Sequence, residues 1–189
     1  MPDHFAIFDE PRRPWLDAER LKEKFHALAA THHPDVARGG DADFTMLNEA
    51  YNILRDPKSR LRHLLELEFP GAISRSPQIP QALGDLFMRV GALLQRLDSF
   101  SKKQRLAESQ LAKALLEPEK FSILDDLEDL LAVVNEHQTL LLDELRALDA
   151  MWQQDKTAAA NRLVEVFQSL AFIFKWAEQL REGTVKLAM

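Results

Sequence analysis

The sequence predicts an all-α protein, and two observations lead to that prediction. Apolar residues recur at intervals of three and four along nearly the whole chain and almost never alternate, which is the period of helices rather than strands. With 189 residues, of which 46% are hydrophobic, the chain is large enough to bury a core. We therefore expect folded helical domains rather than intrinsic disorder.

A proline-rich stretch separates two unlike halves. Residues 68–80 read EFPGAISRSPQIP, in which three prolines and a glycine oppose helix formation. Five of the six histidines precede this stretch, and only His137 follows it. We predict one domain over residues 1–67, a linker over 68–80 and a helical bundle over 81–189.

The first half contains two helices joined by a polar loop. Asp17 can cap a helix that Pro34 ends, since the residue before a proline is disfavoured in helical geometry. Asp41 or Asp43 can cap the next helix, and a short helix over 58–67 completes this half. The expected buried stripes are Leu21, Phe25 and Leu28 in the first helix, and Phe44, Leu47, Tyr51 and Leu54 in the second.

The second half is expected to form three long helices. Nearly strict heptad spacing of apolar residues in adjoining segments is typical of an antiparallel bundle. The first helix is expected to start near Leu83 and to run to about Leu116. Its expected buried stripe consists of Leu83, Leu86, Val90, Leu93, Leu97 and Phe100. The second helix is expected to start near Pro118, where proline suits a first turn. The third is expected to carry Leu163, Val166, Leu170, Ile173, Ala177, Leu180, Thr184 and Leu187 on its buried face.

Charge differs between neighbouring helices of the bundle. Residues 117–155 hold eleven acidic and two basic residues, whereas residues 75–113 hold seven basic and three acidic ones. Pairing within the bundle explains this pattern more simply than a partner surface does, although each exposed pair contributes little.

Composition excludes several classes of function. A formal net charge of −6 gives no general attraction to nucleic acid or to a membrane surface, and no apolar run is long enough to span a membrane. Without cysteine there are no thiolate metal sites and no cysteine nucleophile. Because the first residues also lack the pattern of a signal peptide, we expect a cytoplasmic protein.

No motif indicates an enzyme or a cofactor. The phosphate-binding and zinc-binding patterns G-x-G-x-x-G, G-x-x-x-x-G-K and H-E-x-x-H are absent. Clustered carboxylates at 125–129 are expected to lie on a solvated helix face. We predict no catalytic residues, no metal and no cofactor.

The loop after the first helix reads His33-Pro34-Asp35. The tripeptide alone is not informative, but the two segments that flank it are. LKEKFHALAATHHPD precedes and includes it, and FTMLNEAYNILRDPKSR begins eleven residues after His33. In this order the two segments resemble the J domain of DnaJ-type co-chaperones over residues 4–67. The resemblance implies that the loop binds a DnaK-type chaperone and stimulates its ATP hydrolysis, with His33, Pro34 and Asp35 as contacts, joined by Lys22 and His26 on the preceding helix.

J domains typically carry more lysine and arginine on the helix before this loop, and directly after the loop, than this sequence does. Ala27, Thr31 and Val36 stand where J domains commonly have lysine or arginine, so long-range steering toward the chaperone is expected to be weaker. The histidines around the loop lack the spacing of a metal site, and we do not predict one.

The second half resembles the bundle of the HscB, or Jac-type, co-chaperones of iron–sulfur cluster assembly. In the bundle, the leucine-rich end after Trp152 carries this resemblance. In the first half, Arg60-Leu61-Arg62-His63-Leu64-Leu65 resembles the end of the HscB J domain. It implies delivery of a scaffold protein, IscU, to the chaperone. The acidic signature of the first HscB bundle helix is replaced by LFMRVGALLQRL, so the scaffold contact does not transfer residue by residue.

Three residues are candidates for client binding: Phe87, Met88 and Trp176. An exposed Trp176 would favour an interface, since tryptophan is enriched at binding hot spots. Two alternatives stay open beside the iron–sulfur co-chaperone. The chain could be a J-domain co-chaperone with a different specialised client, or a structural adaptor that has repurposed a J-like hairpin.

Overall fold

The computed structural model describes residues 2–32, 41–74 and 78–188, in which it contains helices and no strand. The all-α prediction is therefore confirmed for these ranges. A short 3-10 turn over Gln81–Leu83 precedes the fifth helix. The helices are α1 (His4–Ile7), α2 (Ala18–His32), α3 (Asp41–Arg55), α4 (Pro57–Glu68), α5 (Gly84–Leu106), α6 (Gln110–Gln154) and α7 (Lys156–Ala188).

The chain divides into two compact units, each made of two separate stretches of sequence. The first unit comprises Met1–Ser76 with Leu142–Phe167, and the second comprises Pro77–Leu141 with Gln168–Met189. This grouping differs from the predicted domains at residues 142–167, which the sequence assigns to the bundle. The physical reason is a set of polar contacts between residues 142–167 and residues 12–15, described below.

The first unit is built around helices α1 to α4. Asp3 caps α1 by accepting hydrogen bonds from the backbone N–H groups of Phe5 and Ala6, at 3.1 and 3.4 Å. Asp17 accepts a hydrogen bond from the Arg20 N–H at 2.9 Å at the start of α2, as its capping pattern predicts. The core of these helices consists of Phe5, Phe8, Leu16, Leu21, Leu47, Ala50, Leu54, Leu61, Leu64 and Leu65.

Helix α4 begins one residue earlier than predicted. Asp56 caps it by accepting from the Ser59 N–H at 2.8 Å, and Pro57 occupies the first turn, where its missing N–H costs nothing. The break between α3 and α4 is thus a single capping residue.

The second unit contains α5 and parts of α6 and α7 around one apolar core. Ion pairs join Arg96 to Asp126, and Lys103 to Glu119 at 2.9 Å, so residue numbers rise along α5 as they fall along α6. The two helices are therefore antiparallel, as predicted. All six residues of the predicted α5 stripe are buried: Leu83, Leu86, Val90, Leu93, Leu97 and Phe100.

The predicted boundary between α5 and α6 is wrong. Helix α5 ends at Leu106 rather than near Leu116, and α6 begins at Gln110 with Pro118 inside it. Ser109 supplies an earlier start, because its Oγ accepts from the Ala112 N–H at 3.1 Å. Pro118 then removes one helical hydrogen bond without ending the helix.

Gly183 marks a close approach between helices of the second unit. A Cβ atom at this position of α7 would lie 2.9 Å from Leu97 Cδ2 and 3.3 Å from Leu127 Cδ2. Glycine therefore lets α7 approach side chains of both α5 and α6. The neighbouring Thr184, predicted to be buried, is only half-buried, and its hydroxyl donates to the Leu180 carbonyl at 3.2 Å.

Candidate functional site

The His33-Pro34-Asp35 loop lies outside the described residues, and the structure shows the two helices that flank it. Helices α2 and α3 pack together in the first unit. The ring of Phe25 stacks on Tyr51 with 4.2 Å between ring centroids, and the Arg55 guanidinium lies 5.6 Å from the Tyr51 centroid. These stacked side chains contribute to holding the hairpin together.

The predicted chaperone contacts on α2 are accessible. The Lys22 side chain is 53% exposed, and its nearest carboxylate is Glu19, 3.5 Å away within the same helix. His26 is exposed and lies edge-on to Phe25. Both side chains can reach a partner, and their assignment as chaperone contacts stays a prediction.

Lys24 binds the turn that follows α1, a contact that the sequence alone did not predict. Its Nζ donates to the carbonyl oxygens of Phe8 and Asp9 at 2.9 and 3.0 Å and lies 2.6 Å from Glu10 Oε1. Asp9 has a positive φ of 47°, a conformation that aspartate tolerates better than most residues. Lys24 therefore holds the turn after α1 on the start of the hairpin.

Asp149 of α6 anchors the segment before α2. Its carboxylate accepts hydrogen bonds from Arg13 Nε at 2.9 Å, from Arg13 Nη2, from the Trp15 N–H at 3.3 Å and from Gln153 at 2.9 Å. Burial raises the pKa of Asp149, but the Arg13 and Trp15 contacts outweigh it and hold the pKa below its ordinary value. The carboxylate is therefore ionised at neutral pH.

A second set of contacts joins the same parts of the first unit. The buried Trp152 donates from Nε1 to the Arg12 carbonyl at 2.8 Å. Glu68 accepts from Arg12 at 3.1 Å and from Lys156 at 2.7 Å. These contacts, with those of Asp149, explain why residues 142–167 group with the N-terminal helices.

Arg60, one of the residues that carry the J-domain resemblance, is almost fully buried. Its Nε donates to the Pro14 carbonyl at 2.9 Å and its Nη1 to the Leu54 carbonyl at 2.7 Å. Burial lowers the pKa of Arg60 to about 10, although Asp56 and Asp149 oppose that effect. Arg60 thus ties the start of α4 to the turn before α2.

The client-binding candidates of the second unit are not equally accessible. Phe87 is 42% exposed and Met88 68%, as an interaction surface requires. Trp176 is only 4% exposed, so it does not provide the exposed tryptophan that would favour an interface. Its ring packs 5.7 Å from Phe172 and 6.2 Å from Phe87, because Trp176 shares the inward face of α7 with Ile173.

Within 2–32, 41–74 and 78–188, no three or more carboxylate or histidine side chains are grouped so as to hold a metal ion. Over the same ranges, the helices lack the length and apolar content that crossing a membrane requires.

The hairpin lies in a segment that matches a known domain. The DnaJ domain model matches residues 11–63. The J-type co-chaperone JAC1 of Saccharomyces cerevisiae is 40% identical over 52 residues, which are 28% of each chain. The HscB homologue of Chromobacterium violaceum is 41% identical over 73 residues, covering 34% of this chain and 42% of the relative. The sequence matches thus span less than half the length of these relatives.

The fold extends the likeness to the whole chain. Chaperone HscB from Vibrio cholerae superimposes with a TM-score of 0.55 at 22% identity, covering 98% of this chain and 99% of that one. Human co-chaperone HscB gives a TM-score of 0.58 at 18% identity, covering 98% and 84%. The chain therefore contains a DnaJ domain and has the fold of the HscB co-chaperones.

Proposed function

We propose that the chain is a co-chaperone whose His33-Pro34-Asp35 loop binds a DnaK-type heat-shock ATPase and stimulates its ATP hydrolysis. The match of the DnaJ domain model over residues 11–63 is the observation that carries this proposal. The packing of Phe25 on Tyr51 supports it, because this contact holds together the two helices that present the loop.

The contact chemistry follows from the residue types. Asp35 offers a carboxylate acceptor for charge-assisted hydrogen bonds, His33 offers a ring donor or acceptor, and Pro34 restricts the backbone between them. Lys22, exposed on α2, adds a cation on the same helix that leads into the loop. In this role ATP hydrolysis takes place on the partner.

We further propose that the second unit delivers an iron–sulfur scaffold protein through the surface formed by Phe87 and Met88. The HscB-like fold and the resemblance of the bundle sequence support this assignment. Both side chains are exposed near the start of α5, and contiguous exposed apolar surface marks interaction sites.

Single-turnover ATP hydrolysis by the DnaK-type chaperone of the same source tests the co-chaperone role. We expect the unaltered chain to stimulate hydrolysis and Asp35→Asn to reduce the stimulation about tenfold or more, since the variant loses a charged acceptor. Asp143→Asn, the same change at an exposed position of α6, is the matched control and should stimulate normally.

Adding the scaffold protein separates the alternatives. A further rise in stimulation by the scaffold supports delivery for iron–sulfur cluster assembly. Stimulation that the scaffold leaves unchanged indicates a different client, and no stimulation of the chaperone by the unaltered chain overturns the co-chaperone proposal in favour of an adaptor.

A further inference from the structure

The first part of α6, residues 110–123, carries two apolar faces. Leu116 and Ile123 pack on the core of the second unit. A different face of the same turns is formed by residues at intervals of three and four, which lie side by side on a helix. All of its residues are exposed, and we call them the outer face: Leu111, Ala114, Leu115, Pro118 and Phe121.

The outer face is large for an apolar surface in contact with water. Leu111 is 71% exposed, Leu115 72% and Phe121 59%. Because a large apolar side chain has on the order of 150–200 Å² of surface, these three present about 300–400 Å², a size at which an exposed patch is often functional. Two such faces in contact, with the charged rim around them, would bury on the order of 1,000 Å², which is the lower end for a specific interface. The area is enough for a weak dimer and too small for a permanent one.

Charge limits what can cover the outer face. The face itself holds no charged residue, but Asp125, four residues after Phe121, and then Asp129 continue the same side of α6, and both are exposed. A long acidic partner or an anionic membrane lying along α6 would meet these carboxylates and be repelled. The occupant is therefore one that contacts about three helical turns and tolerates acidic residues beyond them.

The turn between α5 and α6 has the opposite charge. Residues 102–113 hold four basic residues and one acidic residue, whereas residues 125–129 hold four acidic residues and no basic one. Two α6 helices that pair antiparallel at the outer face bring the basic end of each copy near the acidic stretch of the other. Parallel pairing would place like charges level with each other. The charge pattern thus fits a second copy of the chain in the antiparallel orientation.

We propose that the outer face binds the outer face of a second copy, with the two α6 helices antiparallel about a two-fold axis between Ala114 and Leu115. In this arrangement Leu111 lies opposite Pro118 of the second copy, and Ala114 lies opposite Leu115. The contact is self-complementary, as a two-fold interface requires. This dimer is a property of the second unit and does not depend on the proposed function.

The rim of the same arrangement brings opposite charges together. Lys113 of each copy lies one residue, or about 1.5 Å along the helix axis, from the level of Glu117 in the other copy. Both side chains are exposed, and neither forms an ion pair within the described part of the chain. Two equivalent ion pairs therefore flank the apolar contact.

Sedimentation equilibrium of the full chain at low salt tests the inference. We expect a reversible dimer with a dissociation constant of about 100 µM or less. Leu115→Glu should weaken it about tenfold or more, because the change places two carboxylates against each other next to the two-fold axis. Leu140→Glu makes the same change at another exposed leucine of α6 and should dimerise as the unaltered chain does. Circular dichroism should show both variants folded.

Mixing two charge variants distinguishes pairing between copies from pairing within one helix. Lys113→Glu sets carboxylates opposite one another in its own dimer, and Glu117→Lys sets ammonium groups opposite one another. Each variant alone should therefore dimerise about threefold or more weakly at low salt. An equimolar mixture restores opposite charges at both contacts and should form a dimer of one copy of each. Recovery in the mixture has no explanation within a single helix.

Three results would overturn the inference. A chain that stays monomeric at every concentration below about 200 µM does not pair at the outer face. If that monomer cosediments with vesicles of phosphatidylcholine and phosphatidylserine, the face binds a membrane instead. A dimer that Leu115→Glu leaves intact forms through another surface, and charge variants that the mixture fails to rescue exclude the antiparallel arrangement.

Discussion

Asp149 shows how one side chain can determine the makeup of a unit. Its carboxylate accepts from Arg13, from the Trp15 N–H and from Gln153, and it is 5% exposed. An aspartate on the buried face of a helix, next to Leu148, is a departure from the apolar stripe. This charged residue on an apolar face was the one sequence signal that pointed to a buried polar contact at Asp149. It does not show that Arg13 is the residue bound.

Removing the charge of Asp149 should destabilise the first unit. We expect Asp149→Asn to lower the free energy of unfolding by about 2–4 kcal/mol, because Arg13 would be left partly buried without its anion. Urea unfolding followed by circular dichroism measures the change. Asp143→Asn, at an exposed position of the same helix, should change stability by less than about 0.5 kcal/mol.

The buried histidine pair of the first unit should make its stability depend on pH. The His4 N–H donates to His63 Nε2 at 3.1 Å, so that nitrogen must be unprotonated. Burial lowers the pKa of both histidines, with nearby Asp3 opposing in each case. Because the unfolded chain then binds more protons, this stability is present above the ordinary histidine pKa of about 6.5 and is lost as pH falls below it.

Urea unfolding at about pH 7.5 and about pH 5.5 tests this dependence. The urea concentration at the midpoint of unfolding should be lower at the acidic pH. His63→Gln keeps an acceptor but does not titrate, and it should reduce the difference between the two midpoints. His137→Gln, in the second unit, is the control. An unchanged difference in His63→Gln would assign the pH dependence to other groups.

At the scale of elements, Gly183 allows α7 to lie close to α5 and α6. Gly183→Val should cost about 1–3 kcal/mol through overpacking, since its Cβ would already press on Leu97 and Leu127. Gly91→Ala is the opposite case, because nothing lies within 4 Å of the added Cβ, and it should stabilise α5 by about 0.5–1 kcal/mol. Thermal unfolding of both variants checks the pair, and equal effects would contradict the packing argument.

The presence of helices could be predicted from the spacing of apolar residues. The ends of the helices depended on which of several nearby capping and helix-breaking residues takes effect. The α5 stripe from Leu83 to Phe100 repeats at heptad spacing and was predicted in full. The α5–α6 boundary was misplaced because Pro118 is a strong stop signal in sequence, whereas Ser109 is a weak one. The structure shows that a capping serine can start a helix that later includes a proline.

Across the whole molecule, the first unit should depend on a distant stretch of chain. A fragment of residues 1–76 would lack Asp149, Trp152 and Lys156, which bind Arg13, Arg12 and Glu68 in the full chain. We expect the fragment to unfold at a lower urea concentration than the first unit of the full chain. Hydrogen exchange at α1 to α4 in both samples provides the comparison, and equal protection would show that residues 142–167 are dispensable.

The sequence predicted the hairpin but not this dependence, for a physical reason. Helices α2 and α3 are neighbours in sequence, so their stripes and caps are local signals. Arg13 and Asp149 are separated by 136 residues, and Arg12 and Trp152 by 140, so a single sequence holds no local pattern that pairs them. The exposure of Phe87 and Met88 follows from the apolar pattern of their own helix. The burial of Trp176 depends on the side chains that pack against it, and the pattern of α7 alone does not give these.

The discontinuous first unit also has a consequence for the order of synthesis. A ribosome adds about 5–20 residues per second, so the 136 residues between Arg13 and Asp149 correspond to roughly 7–27 s of elongation. Helices α2 and α3 are synthesised early in that interval, and until Asp149 follows, Arg13 and the Trp15 N–H lack their carboxylate acceptor. The nascent chain therefore passes through a stage in which its J-like segment lacks the contacts that Asp149 provides. In that stage the co-chaperone is itself incompletely folded, as the clients of chaperones are.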